Sequence, residues 1–172
     1  RAGQTIVVHG HTTAVDASHD LGSGVAVQPD GKIVVAGYAM VGSTNDFAVV
    51  RYGTDGTLDT SFNGSGVVTT DFGNTNDEAF GVALQSDGKI VATGAADVSD
   101  DLQTALARYT SSGAPDADFG GGGTVLLSLG VDYGPDQGRA VTVDTDGSLL
   151  VAGSAHDGSG MVFSLARVQG DG

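Results

Sequence analysis

The chain has no cysteine, no tryptophan, three prolines and only seven basic side chains among 172 residues. Absence of cysteine removes disulfides, thiolate metal sites and a cysteine nucleophile together, and leaves the redox character of the compartment undecided. Absence of tryptophan, with four Tyr and six Phe, leaves few aromatic platforms of the kind on which sugar-binding proteins stack pyranose rings. No apolar run approaches the roughly 18 residues of a membrane helix, so no membrane span is expected. No window sustains a 3.6-residue period, and each of the 29 glycines would weaken a helix by roughly 0.8 to 1 kcal/mol relative to alanine. Also missing are the Gly-x-Ser-x-Gly elbow, the phosphate-binding Gly-x-x-x-x-Gly-Lys and a dinucleotide fingerprint. No catalytic residue is assigned on this basis, and the reading leans away from an enzyme.

What the chain has is repetition. The phrase Val25 to Gly37 returns as Val82 to Gly94 and again as Val141 to Gly153, at offsets of 57 and then 59 residues. A fixed period of this size marks a repeat architecture built from one supersecondary unit. The same offsets align Arg51 with Arg108 and Arg167, and Asp20 with Asp77 and Asp136. Two copies continue into an Asp-x-x-Phe stretch, Asp59 to Phe62 and Asp116 to Phe119.

Within a unit the pattern is that of strands. Val25 and Val27 alternate with smaller residues, Asp30-Gly31 supplies a positive-φ turn, and a β-branched run follows. The second strand, Ile33 to Ala36 and its equivalents, is apolar at nearly every position, so burial on both faces is expected and the strand is taken as the innermost one. A third strand ending in Arg51 and Tyr52 and a fourth, Thr-rich strand complete four antiparallel strands, the content of one propeller blade. The units expected are 1–19, an N-terminal strand and loop completing the last blade; 20–76; 77–135; and 136–172, which lacks its fourth strand. This makes an all-β chain of three four-stranded blades in a permuted frame. Propellers have four to eight blades, so the ring is expected to close by self-association through sheet edges or by further repeats; a β-prism or β-trefoil is the architecture that closes at three.

Gln28 to Gly37, Ala48 to Tyr52 and Asp55 to Phe62 resemble the delta-60 repeat, a bacterial β-propeller repeat reading Gln-Pro-Asp-Gly-Lys-Ile-Val-Val-Ala-Gly, then Ala-x-x-Arg-Tyr, then Asp-Gly-x-Leu-Asp-x-x-Phe-Gly. Asn63 stands where that repeat usually has Gly, and the third copy is looser, with Asp146-Gly147 and Arg167-Val168. The resemblance implies an exported or surface-located bacterial propeller, hence an extracellular or cell-surface location. It says little about activity.

Charge limits the partners. With 21 acidic side chains, all aspartate except Glu78, the net charge is -14, which repels nucleic acid and anionic membranes. Short oxygen ligands on tight loops suit Ca²⁺. Asp77, Asp100, Asp101 and Asp136 are the candidates, in loops that lack the EF-hand pattern, and Ca²⁺ is the one cofactor expected. Asp as turn former is the competing reading. His9 and His11, on one face of a strand, are transition-metal candidates. Arg51, Arg108 and Arg167 are each expected to pair with a loop aspartate or backbone oxygens and staple one blade to the next. Two function classes follow. One is a non-catalytic exported module for scaffolding, self-assembly or protein binding; the other is a Ca²⁺-dependent carbohydrate-binding protein or hydrolase using the acidic loops. Convergence of the copy-specific residues His9, His11, Glu78, Arg139 and His156 on one pocket would favour the second.

Overall fold

A computed structural model of the chain describes residues 20–73, 76–131 and 134–172. The expected unit 1–19, with His9 and His11, lies outside the described residues. Eleven strands are described, in three antiparallel sheets. The first sheet holds β1 (Leu21–Val27), β2 (Ile33–Val41), β3 (Thr44–Tyr52) and β4 (Val67–Thr70) in that order. The second holds β5 (Asp77–Leu84), β6 (Ile90–Val98), β7 (Asp101–Tyr109) and β8 (Thr124–Leu127). The third holds β9 (Gln137–Val143), β10 (Leu149–His156) and β11 (Met161–Val168). These sheets are called blades 1, 2 and 3.

The first hairpin of each blade is closed by its glycine. Gly31, Gly88 and Gly147 have φ of 87°, 86° and 86°, a conformation that costs glycine nothing. In blade 1 the Gly31 amide donates to the Gln28 carbonyl at 2.8 Å, and Asp30 accepts from the Lys32 amide at 3.1 Å. A second glycine requirement sits along the second strand. A β-carbon on Gly37 would lie 1.8 Å from the Leu21 carbonyl oxygen, and one on Gly94 1.9 Å from that of Glu78. Here the first strand bulges, with register slips at Gly22/Gly24 and Ala79/Gly81, and its backbone presses onto the second.

The first strands of successive blades meet. Gly24 faces the backbone of Val82 at 3.1 Å, and Gly81 faces that of Ala140 at 3.1 Å, both measured from an added β-carbon. β1, β5 and β9 therefore form the inner edge, and β4 and β8 the outer one. This corrects the sequence expectation that the apolar second strand is innermost. Small residues at Gly24 and Gly81 let the first strands converge, while the second strand owes its apolar character to the blades on either side. That character also explains a graded outcome. β6 is buried from Ile90 to Ala96, whereas β2 alternates and β10 exposes Ala152, because among the described residues only blade 2 has neighbours on both faces.

Two cores result, one at each junction. Val34, Phe47, Val49 and Phe62 of blade 1 pack against Ile90, Ala92, Ala107 and Tyr109 of blade 2. Val91, Leu106 and Phe119 of blade 2 pack against Leu149, Val151 and Val168 of blade 3. The second set is the first moved on by one repeat, so each blade presents the same back face to the same front face of its successor.

Candidate functional site at the blade junctions

The repeated arginines stand at these junctions. Arg51 is the penultimate residue of β3, and the Asp59 to Phe62 turn folds back under it through the Asp59 amide, which donates to the Arg51 carbonyl at 2.9 Å. Arg51 Nε donates to Asp59 Oδ2 at 2.8 Å, Nη1 to the Ser111 carbonyl of blade 2 at 2.6 Å, and Nη2 to Ser61 Oγ at 3.2 Å. Its guanidinium lies 4.6 Å above the Phe62 ring. Arg108 repeats this arrangement except for the Ser61 contact, since Asp118 stands at that position. Nε donates to Asp116 Oδ2 at 2.6 Å, Nη1 to the Gly170 carbonyl of blade 3, and the plane lies 4.4 Å above Phe119. A main-chain bond runs beside each arginine, from the Asn63 amide to the Ser112 carbonyl at 2.7 Å and from Gly120 to Asp171 at 2.9 Å.

Each aspartate carries a second cation, Lys32 Nζ at 3.0 Å from Asp59 and Lys89 Nζ at 3.0 Å from Asp116. The Ser61 hydroxyl first, then Lys32 and Arg51, hold the Asp59 carboxyl well below the usual range. Burial works against ionisation of Asp116, yet the bonds from Lys89 and Arg108 keep it low as well. Arg51 and Arg108 are 5% and 2% exposed, so their charges are stabilised by these partners and not by water. Arg167 departs from the expected staple. Ser148 replaces the lysine, and the half-exposed guanidinium turns to Asp144 at 2.7 Å and to Ser148 Oγ at 2.5 Å.

The four acidic candidates do not come together. Asp100 sits exposed in the β6–β7 turn at φ 64°, and Asp101 accepts from Gln103 Nε2 at 2.9 Å. Asp136 ties down its own loop, accepting from the Leu129 amide at 2.5 Å and Gly130 at 2.8 Å through Oδ2 and from His156 at 3.3 Å through Oδ1. Asp77 takes the equivalent Phe72 amide at 2.8 Å. The structure brings Asp77 instead to Asp46 and Asp71, with one carboxylate oxygen of each within 4.8 Å of the others. Asp77 is fully buried, Asp46 nearly so, and Asp77 Oδ1 has no hydrogen-bond partner among the described residues. Burial above all, with Asp71 and Asp46 adding to it against the Phe72 amide, pushes the Asp77 carboxyl up to about 6. Burial and Asp71 raise Asp46 too. Asp46 was missed because it lies on a strand and not in a loop. The available signal was its break with the repeat, since Gln103 and Val162 occupy the matching positions.

The copy-specific residues do not converge among the described residues. Glu78 lines a hollow of about 220 Å³ with Phe80 and Gln137, and Arg139 stacks on the outer side of Phe80 at 4.3 Å. His156 lies at the far end of β10 against Gly134. A larger hollow of about 790 Å³ lies among the three first hairpins, near Gln28, Gln85 and Asp144.

Three antiparallel sheets converging on their first strands define the class as β-propeller repeats. Two segments, residues 28–62 and 85–119, match a family described as a domain of unknown function (DUF5122) beta-propeller, so each of these two segments is similar to that propeller repeat. Each segment runs from the hairpin glutamine to the phenylalanine under the arginine, so the whole latch except its neighbour's carbonyl falls within the family's pattern. No curated protein matches the chain.

Proposed function

We propose that the chain is a non-catalytic β-propeller module that acts by docking, as a scaffold, self-assembling unit or protein-binding element. The observation that carries this reading is that both outer blades leave junction faces uncovered among the described residues. Val25 and Val27 on blade 1 are 67% and 63% exposed, and Phe163 and Leu165 on blade 3 are 103% and 74% exposed. Contiguous apolar surface of this kind marks interaction sites. An extracellular or cell-surface location goes with the reading and rests on the repeat resemblance alone. Sedimentation velocity from about 1 to 100 µM tests it, since mass-action association must raise the mean mass with concentration. A monomer throughout that range removes the self-assembling form.

A cation-dependent carbohydrate-binding protein or hydrolase is the second reading, and Asp46, Asp71 and Asp77 favour it. Three carboxylates this close, two of them buried and one with an orphan oxygen, suit a Ca²⁺ that takes oxygen ligands at about 2.3 to 2.6 Å. Calorimetric titration with Ca²⁺ should give binding that Asp46→Asn abolishes. No heat, and no change in melting with chelator, would discard it.

A further inference from the structure

We infer that a second copy of this chain docks head to tail, the back of its blade 3 on the front of blade 1, closing six blades from two chains. This rests on the docking reading above and names its partner and register.

The argument is continuity with the two junctions already formed. Phe163 and Leu165 occupy the positions of Phe47 and Val49 in blade 1 and of Thr104 and Leu106 in blade 2. All four of those are fully buried against the following blade. On the other side, Val25 and Val27 occupy the positions of Val82 and Leu84, which pack into the first core, and of Val141 and Val143, which pack into the second. Thus the two uncovered faces are the two halves of one junction that the chain makes twice within itself. A face of this shape already has a fitting partner, because its complement is repeated in the sequence.

The polar parts agree with the apolar ones. Arg51 reaches the Ser111 carbonyl and Arg108 the Gly170 carbonyl, the third residue beyond the next blade's arginine in each case. Among the described residues Arg167 reaches no such carbonyl, and it is half exposed beside Asp144. In a following blade 1 the equivalent residue is Thr54, which is exposed. The guanidinium of Arg167 would swing from Asp144 to donate to the Thr54 carbonyl of the second copy. Two such contacts related by a two-fold axis close a ring of six blades, within the four to eight that propellers use. Both copies carry a charge of -14, so raised salt should strengthen the pairing by screening their repulsion.

The test uses the full chain and two exposed substitutions, Val25→Asp and Phe163→Asp, whose circular dichroism should match the parent. Wild-type chain should reach twice the chain mass, more readily in about 0.5 M salt. Each variant alone should stay monomeric, having lost one half of the junction. Mixed together they should form a one-to-one dimer that does not grow, because one copy's intact back meets the other's intact front. Arg167→Met should weaken wild-type pairing about tenfold or more. Dimerisation of either variant alone would show a front-to-front or back-to-back contact, overturning head-to-tail docking while leaving the docking module intact. A wild-type chain that never associates overturns the head-to-tail pair together with the self-assembling form of the module, and leaves only docking to a different protein.

Discussion

Replacing each repeated arginine by methionine, one at a time, separates a buried junction latch from a surface ion pair with the same chemistry. Arg108→Met removes the bond to Asp116, the bond to the Gly170 carbonyl and the stacking on Phe119. Breaking a buried pair by deleting one partner costs about 3 to 5 kcal/mol. Asp116 keeps Lys89 at 3.0 Å, and the methionine stem still covers part of the ring, so the loss should fall near the low end, at about 3 kcal/mol. With a urea slope of about 2 kcal/mol/M, the unfolding midpoint should drop by about 1.5 M. Arg51→Met should behave alike, since Lys32 stands by Asp59 in the same way. Arg167→Met removes only an exposed pair, worth about 0 to 1 kcal/mol, and should shift the midpoint by less than about 0.5 M. The series is best run on the Phe163→Asp background, so that association does not enter, and followed by circular dichroism because tryptophan emission is absent. Equal losses at all three positions, or a larger one at Arg167, would refute the claim that the latch works through the neighbouring blade.

Gly94→Ala should cost about 3 kcal/mol or more, or prevent folding, because its β-carbon would fall 1.9 Å from the Glu78 carbonyl oxygen; Gly160→Ala, with open space around it, should stay within about 0.5 kcal/mol in the same melts. Leu106→Ala should cost about 2 to 5 kcal/mol from the second core, whereas Leu165→Ala at the matching position should leave the monomer's midpoint nearly unchanged and show only in association. Asp59 and Asp116 have lowered folded pKa values, so their stabilisation is complete above the unfolded value of about 3.9 and is lost as pH falls through the folded values. Urea midpoints measured between about pH 5 and 3 should therefore fall less steeply in Asp59→Asn than in wild type; parallel curves would show that this carboxylate does not govern the acid response.

The strands, their turns and the repeated arginine were legible because each is a local pattern. Alternation in Val25 to Val27, the glycine at position 31 and the β-branched run after it are read within one hairpin. The Asp-x-x-Phe turn was visible as a repeat, but its place beneath Arg51, with Lys32 as a second cation, required the chain to return from eight residues on one side and nineteen on the other. The trio Asp46, Asp71 and Asp77 was not legible, since a strand, the segment after β4 and the next blade supply one carboxylate each.

The sequence alone determined that this chain is three copies of one sheet-forming unit, since period-two alternation and glycine turns act over a few residues and recur wherever the phrase recurs. Tertiary structure decided which strand lies innermost, which carbonyl each arginine reaches and which faces stay uncovered. Those outcomes depend on how neighbouring blades approach one another: Gly24 and Gly81 let first strands converge, and only a blade with a successor can bury its back face. Phe47 and Phe163 occupy one position in the repeat, yet the first is buried and the second bare, because the next blade is present for one and absent, among the described residues, for the other.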